Sequence, residues 1–344
     1  MGSFLLRRLL LAISTVVAVS FGSFVAFGIS LDPTYPMILG PPAPRHAVQR
    51  FYHLTDPILS RYWRWVTDFV QHGFGTTVGT AGNGSPPSII PGRPIGPELW
   101  SAAKITAQLV GASMLIVIVF SVLLGVVSAR RPGSKVDTGT RFVTYVTWSV
   151  PTFLVGDLIR RAIVGQQTYR VGYTGPGGTL QRVVGDTHGD WFLLGPPTSG
   201  AIDWLRHMTL PCIALAVGLI GVYARYIRSS MMESLQQQYV VVARAKGVSE
   251  PRVLVRHALR NSLIPFTSVL TLEFGAIIGA SIAVDAVFHL GGFASAFLGA
   301  LGAADPFELT SLVICVAVVV TIFMTLSDLI AGWLDPRVRI GANR

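Results

Sequence analysis

Long apolar runs with almost no charged residues are the feature that most constrains this sequence. An α-helix rises about 1.5 Å per residue, so about 20 apolar residues cross the hydrocarbon core of a bilayer. Five runs come close to or exceed that length, and a sixth is interrupted by charges. The five are Leu9–Leu31, Thr106–Ala129, Leu210–Tyr226, Leu263–Phe288 and Leu309–Leu334, and the interrupted one is Phe142–Val164. The pattern predicts an all-α integral membrane protein with six transmembrane helices.

The distribution of charge supports this interpretation and orients the chain. Only 13% of the 344 residues are charged, about half of what a soluble domain carries. The formal net charge of +10 is also typical of nucleic-acid binding. With the N-terminus inside, however, six spans place sixteen basic and four acidic residues on the inner side, against eleven and ten outside. Because basic residues favour cytoplasmic loops, the surplus predicts cytoplasmic termini and no nucleic-acid partner.

The first apolar run has two possible interpretations. Arg7 and Arg8 precede it, as basic residues precede the core of a signal peptide. The run is longer than the 7–15 residues of such a core, and no clear small-residue cleavage site follows it. The sequence therefore favours an uncleaved membrane anchor.

Two long polar segments, 32–104 and 165–206, lie outside the membrane in this arrangement. In the first, apolar side chains recur at helical spacing between residues 58 and 70, which predicts an amphipathic helix. Such a helix can lie at the outer interface, pack on the bundle or dock an extracytoplasmic partner. The second segment is rich in glycine and turn signals, and nothing in it indicates a chemistry.

The segment 236–265, between the fourth and fifth spans, is the most informative part of the chain. Val240–Lys246 can form a short helix, and Gly247 stands where a left-handed cap would end it. Ser249 can cap a second helix, with Pro251 in its first turn. A partner that binds this hairpin would move both adjoining spans together. The alternative is a basic loop on anionic lipid headgroups.

The same segment resembles a known family. Ala243-Arg244-Ala245-Lys246-Gly247, followed by Arg256–Asn261 and Leu263-Ile264-Pro265, resembles the EAA-type coupling loop of bacterial ABC importer membrane subunits. Its form is closest to the dipeptide/oligopeptide (peptide/nickel/opine) permeases of the B type. The resemblance runs along the whole chain in order. It includes Arg7–Leu10, Tyr62–Trp65, Phe74–Thr77, Ser149–Phe153, His207–Pro211, Val284–Phe288 and Leu334–Arg337.

The sequence also departs from this family's pattern. Val241-Val242-Ala243 stands where the general motif has Glu-Ala-Ala. Asp157, Arg160 and Arg161 interrupt a span that is usually apolar, and the segment 165–206 is longer than typical. Leu290–Phe293 lacks the usual Pro-Gly pair.

The resemblance implies a fold and a mechanism. The fold is that of a type I ABC importer permease: residues 1–105 form a helix and an extracytoplasmic segment, 106–336 the transmembrane core, and 337–344 a cytoplasmic tail. The implied partners are a second homologous permease in a heterodimer, two ATP-binding subunits or domains, an extracytoplasmic solute-binding (lipo)protein and the lipid bilayer of a prokaryotic inner membrane. ATP and Mg²⁺ would bind the ATPase partners. This chain would bind no cofactor or metal, and would couple through Ala243, Arg244, Ala245, Lys246, Gly247 and Pro265.

Charged residues inside apolar spans are functional candidates because burying them in lipid is costly. Asp285 and Glu273 lie on the fifth predicted span, and with Phe288 they are candidates for the translocation path or its gate. Pairing with a neighbouring subunit is the alternative for Asp285. Asp157 is expected to pair with Arg160 or Arg161, one helical turn away.

The sequence argues against an enzyme. It contains no Gly-x4-Gly-Lys-Ser/Thr phosphate loop and no His-Glu-x-x-His metal motif. The expected function is a permease subunit for ATP-driven uptake of peptides. A same-family importer of nickel, opines or glutathione and, in a different class, an ATP-independent secondary transporter are the alternatives.

Overall fold

The chain is predominantly helical. A computed structural model describes residues 2–34, 42–77, 94–164, 169–174, 179–184, 192–198, 200–272 and 274–334. Four helices in these residues are long and apolar enough to cross a membrane singly. They are α1 (Gly2–Ser30), α4 (Gly96–Arg130), α7 (Ala201–Leu235) and α13 (Pro306–Leu334). The number of candidate spans rises to six if each of two bent helix pairs counts as one span.

The first bent pair replaces the straight third span that the sequence predicts. α5 (Lys135–Ser149) and α6 (Thr152–Ile159) meet at a bend of 94°. Pro151 causes this break, since it has no N–H and forces the preceding residue into an extended conformation. Val150 accordingly has φ −99° and ψ 125°. A π-helical turn, Arg160–Val164, follows α6.

The described residues of the fifth predicted span form α10 (Arg260–Leu272) and α11 (Phe274–Phe288). α12 (Phe293–Gly302) then departs from α11 at an angle of 70°. The tight turn between them contains Gly291, whose φ of +81° favours glycine.

The two long polar segments contain a β-hairpin and a short helix. β1 (Tyr169–Thr174) and β2 (Thr179–Val184) form an antiparallel hairpin in register from Tyr169–Val184 to Thr174–Thr179. Over the described residues the fold is therefore all-α, as expected, apart from this one β-hairpin, whose strands the sequence does not predict. A short helix α2 (Pro42–Phe51) lies in the first outer segment.

The predicted amphipathic helix is confirmed as α3 (Ile58–Gln71). It packs on the bundle: Trp65 is buried against Phe24 of α1 and Ile314 of α13. Leu59 and Val70, which the pattern placed on the same apolar side, are exposed. The apolar stripe by which α3 packs on α1 and α13 is therefore narrower than the sequence pattern predicts.

The central pair of helices is α4 and α7, which pack along much of their length. At Gly125 of α4 an added Cβ would lie 2.5 Å from Cγ2 of Ile227 on α7. A glycine there lets the two backbones approach closely, as in many membrane helix pairs. α7 then leads directly to the segment 236–265.

Candidate coupling site

The segment 236–265 forms a helical hairpin, called the hairpin below, which begins immediately after the long helix α7. α8 (Gln238–Ala245) is separated from α7 by Gln236 and Gln237 only. Gln237 is extended, with φ −72° and ψ 148°, which turns the chain at the start of α8. A displacement of α8 is therefore passed to α7 through a two-residue connection.

The predicted glycine cap of α8 is confirmed. Gly247 has a φ of +78°, and its N–H donates to the carbonyl oxygen of Arg244 at 2.9 Å. The N–H of Val248 donates to the carbonyl of Ala243 at 3.2 Å. These two bonds form the Schellman arrangement that satisfies the last carbonyls of a helix. The motif fixes the angle at which the second arm leaves α8.

The second arm consists of α9 (Glu250–Arg252) and a π-helical turn, Val253–Leu259. Ser249 occupies the N-cap position with φ −60° and ψ 142°, but among the described residues its hydroxyl makes no capping hydrogen bond. Its carbonyl instead accepts the N–H groups of Arg252 and Val253. The predicted position of the cap is therefore right, and the predicted side-chain role is wrong.

The two arms are held together by a small core and an ion pair. Val240 and Ala243 of α8 pack against Val253, and all three side chains are buried. Arg244 donates from Nε and Nη2 to the two carboxylate oxygens of Glu250, at 3.1 and 2.7 Å. This contact lowers the pKa of the Glu250 carboxyl and raises the pKa of Arg244.

The outward side of α8 is apolar and exposed. Tyr239, Val241 and Val242 leave 38%, 57% and 50% of their surface open, although they belong to a segment on the predicted cytoplasmic side. Contiguous exposed apolar side chains outside a bilayer are typical of protein interaction surfaces. The hairpin can thus present a compact apolar ridge to a partner.

α10 ties the second arm back to α7. The Ser262 hydroxyl donates to Ser234 Oγ at 3.1 Å and to the carbonyl of Ala258 at 2.8 Å. Ser230 on α7 donates to the carbonyl of Ser262 at 3.2 Å. Pro265 lies inside α10 with an exposed side chain. Both ends of the hairpin are therefore anchored to helices of the core.

Residues 121–340 match the family described as binding-protein-dependent transport system inner membrane component. This match covers well over half of the chain and includes the whole hairpin. The chain belongs to this family.

Relatives resemble this permease over nearly their full lengths. The oligopeptide transport system permease protein AppB of Bacillus subtilis is 27% identical over 98% of this chain and 99% of its own. The oligopeptide transport system permease protein OppB of Mycobacterium tuberculosis is 29% identical over 99% and 100%. The metal-staphylopine import system permease protein CntB of Staphylococcus aureus is 27% identical over the full length of both chains.

At the other end of the permease, Asp285 caps α12. Its buried carboxylate accepts the N–H groups of Gly292 at 3.1 Å and Ala294 at 2.8 Å. An added Cβ on Gly292 would lie 2.8 Å from Asp285 Oδ2 and 2.7 Å from Thr106 Oγ1. Phe288 is buried in the core cluster beneath this turn. Roles for Asp285 and Phe288 in the path or gate stay predictions, and Glu273 lies outside the described residues.

The charges that interrupt the third span pair locally. Asp157 accepts hydrogen bonds from Arg160 Nη2 at 2.8 Å and Arg161 Nε at 2.7 Å, which confirms the expected pairing. The structure therefore satisfies the acid within one helical turn.

A buried ion pair that the sequence does not reveal joins α5 to α7. Asp137 of α5 accepts bonds from Ser128 of α4 and Arg228 of α7, with Arg228 Nε and Nη2 at 2.6 and 2.9 Å from its two oxygens. The charge count treated Asp137 and Arg228 as ordinary cytoplasmic residues. The only local signal was Ser134, whose hydroxyl accepts the Asp137 N–H and caps α5.

Proposed function

We propose that this chain is the permease subunit of a bacterial ABC importer and forms the translocation path for ATP-driven uptake of peptides. The main support is the match to relatives named as oligopeptide permeases, which covers 98–100% of this chain and of each relative. The hairpin 236–265 adds a physical reason for coupling to a separate motor, because it is compact, apolar on its outer side and joined to two core helices.

The coupling step would take place at α8 and its cap. Ala243, Arg244, Ala245, Lys246 and Gly247 form the last turn and the cap of the helix that would seat in a groove of an ATP-binding subunit. Pro265, in α10, would mark where the second arm re-enters the core. Closure of the ATP-binding subunits would then displace the hairpin and rock this permease against its partner, giving alternating access.

The assembly that this mechanism needs has several members. A second homologous permease would form a heterodimer with this chain, two ATP-binding subunits or domains would bind ATP and Mg²⁺, and a solute-binding (lipo)protein would deliver the cargo. The permease would be a multi-pass protein of a prokaryotic inner membrane, with six spans, residues 106–336 as its transmembrane core, and cytoplasmic termini. Among the described residues no group of three or more His, Cys, Asp and Glu side chains could hold a metal ion.

A second candidate cargo has a specific observation behind it. A relative that matches over the full length of both chains is named for import of metal-staphylopine. A small metal chelate is therefore the alternative to a peptide, and both cargoes would use the same coupling hairpin. Asp285, Phe288 and Glu273 remain the candidates for the path or gate in either case.

Reconstitution of the transporter tests both cargo and coupling. The permease, its partner subunits and the binding protein would be placed in proteoliposomes with labelled di- to pentapeptides or with a metal–opine chelate. We expect ATP-dependent uptake of peptide, and we expect Val242→Asp to abolish it while weakening copurification with the ATP-binding subunit. A matched change, Val255→Asp, also adds an acid at an exposed position of the hairpin, but on the other arm.

Three results would contradict the proposal. Uptake that does not need ATP would favour a secondary transporter. Uptake of the chelate with no peptide uptake would favour the second cargo. Full uptake by the Val242→Asp protein would exclude the outward side of α8 as the contact with the motor.

A further inference from the structure

One side of α7 makes several of the contacts that hold the broken span, α5 and α6. Gly218, Gly221, Arg225 and Arg228 follow one another at intervals of three or four residues, which places them on one side of a helix. The two glycines and the two arginines make different kinds of contact with that span.

The glycines allow close backbone approach. An added Cβ at Gly221 would lie 2.6 Å from the carbonyl oxygen of Thr144 on α5. At Gly218 it would lie 2.6 Å from Cγ2 of Thr152 on α6. Both halves of the broken span are therefore in close contact with α7: α5 before the break and α6 after it.

The two arginines contact α5, the first half of the same span. The Arg225 guanidinium carbon lies 4.9 Å from the ring centre of Tyr145 and 4.7 Å from that of Trp148, within the range of cation–π attraction. Asp137 lies two turns before Tyr145 on α5, and Arg228 forms its bidentate pair with it there. The two contacts act on α5 at separate places, so they resist both sliding and rotation.

The Asp137 carboxylate is saturated by three separate parts of the chain. Besides Arg228, it accepts Ser128 Oγ of α4 at 2.5 Å and the N–H of Gly133, in the turn between α4 and α5, at 2.9 Å. Arg228 Nε also lies 3.1 Å from Ser128 Oγ. Only 1% of the Asp137 side chain is exposed. A buried group with this many directional bonds fixes one relative position of α4, α5 and α7.

The position of this cluster along α7 suggests its use. Arg228 lies two turns before the end of α7 at Leu235, and α8 begins three residues later. We propose that Asp137 and Arg228 are positioning residues that lock α5 and α6 onto α7, so that a displacement of the coupling hairpin carries the broken span with it. This inference rests on the proposed coupling function and names the contact that transmits the motion inside the permease.

The test measures how much cargo is moved for each ATP hydrolysed. The complete transporter would be reconstituted with wild-type permease, Asp137→Asn, and the double variant Asp137→Asn/Arg228→Gln. Asp157→Asn is the matched control: that acid also holds two arginines, but both are within one turn of the same span, so it ties no other element. Thermal stability and subunit copurification would be measured on the same samples.

We expect Asp137→Asn to lower peptide transported per ATP by about tenfold, within the usual range of coupling between sites, while ATP hydrolysis persists. Asp157→Asn should leave this ratio unchanged. The double variant removes the charge that a single change leaves buried without its partner, so it should regain stability. It should not regain the ratio, because the link between α5 and α7 is still missing.

Two outcomes would overturn the inference. An Asp137→Asn ratio equal to wild type would show that the pair transmits nothing. A double variant that recovers stability and the ratio together would show that the pair serves folding only. If Asp137→Asn fails to assemble, the double variant alone decides between these results. A wild-type transporter without ATP-dependent uptake would instead contradict the proposed function.

Discussion

Two arginine–carboxylate pairs in this permease share a bidentate geometry and differ in their surroundings. In the coupling hairpin, both Arg244 and Glu250 leave 43% of their side chains exposed. In the core pair, Arg228 is 20% exposed and Asp137 only 1%. The exposed pair joins residues six apart in sequence, whereas the buried pair joins residues 91 apart. Water and salt screen the first pair, while the second lies where an unpaired charge is costly.

This difference indicates a division of labour between the two regions. The hairpin needs a defined shape at its surface, and the Gly247 cap and small core already supply most of it. The core pair holds α4, α5 and α7 in register, and only 1% of the Asp137 side chain is exposed. The hairpin pair is thus exposed and local in sequence, whereas the core pair is buried and joins separate helices.

The largest expected effect comes from truncating the buried pair. Asp137→Ala leaves Arg228, Ser128 and the Gly133 N–H without their acceptor, which should destabilise the protein by about 3–5 kcal/mol. Glu250→Ala, the equivalent change in the exposed pair, should cost about 0–1 kcal/mol. Thermal unfolding of the purified permease in detergent checks both values. Equal losses of stability in the two variants would show that burial does not make the Asp137 pair stronger than the Glu250 pair.

The next effect concerns the glycine contacts beside the buried pair. Gly221→Ala puts a methyl group against the Thr144 carbonyl and should destabilise by about 1–3 kcal/mol through overpacking. Gly111→Ala is the control, because nothing lies within 4 Å of an added Cβ there and α4 is helical. That change should be neutral or stabilising by about 0.4–1 kcal/mol. A tolerated Gly221→Ala would show that α5 does not press on α7.

A smaller effect on stability, with a larger one on transport, is expected at the α8 cap. Gly247→Ala forces a residue with a Cβ into the left-handed conformation, at a cost of about 1–2 kcal/mol. Space is not the obstacle, since nothing lies within 4 Å of the added atom. We expect reduced uptake and weaker copurification with the ATP-binding subunit. Gly247→Asn should retain more of both, because asparagine adopts this conformation more readily; equal behaviour of the two variants would exclude a backbone cause.

The smallest effect is the pH dependence of the exposed pair. The hydrogen bond from Arg244 lowers the pKa of Glu250 below its ordinary value of 4.5 in the folded protein. The stabilisation is therefore fully present above about pH 4.5 and is lost as the pH falls through the lowered value. It should amount to less than about 1 kcal/mol at this exposed site. Unfolding curves of wild type and Glu250→Gln should converge on acidification; a gap that widens would give the shift the opposite sign.

Orientation can be tested separately from stability. If the hairpin is cytoplasmic, a cysteine placed at Ser249 should react with an impermeant maleimide only after the cells are opened. The native thiols provide a background, and Cys212 is buried. Its burial keeps the maleimide from reaching it, so it should react slowly in both conditions. Labelling of the Ser249 position in intact cells would overturn the orientation and move the hairpin outside.

Much of the coupling hairpin could be predicted because its signals are local. Gly247 ends α8 since a left-handed cap needs only a glycine a few residues beyond the helix, and the structure gives it a φ of +78°. Asp157 could be paired with Arg160 and Arg161 because side chains three or four residues apart share one side of a helix. The side-chain cap by Ser249 failed, since the N-cap backbone conformation formed without the hydroxyl bond.

The buried pair and the breaks in the spans were harder to anticipate. Pro151 was visible in the sequence, but the bend of 94° depends on how α6 packs against α7 and α11. Asp137 and Arg228 look like ordinary inner-side charges because their partners lie on helices far apart in the chain. The sequence makes Asp285 a candidate for the path, and only the fold of the turn before α12 brings the N–H groups of Gly292 and Ala294 to its carboxylate.

The sequence by itself determined that this is a membrane protein of the transport family, and it located the apolar runs, the basic segments between them and the turn at Gly247. Those properties depend on composition, on residues within a turn of one another, or on a motif that is continuous in the chain. Only the tertiary structure decided which charges are buried, which glycines lie in close contact with a neighbouring helix and which contacts hold α5 against α7. Such contacts join residues about 70 to 100 positions apart, and their energies depend on the exclusion of water, which exists only after the helices have packed.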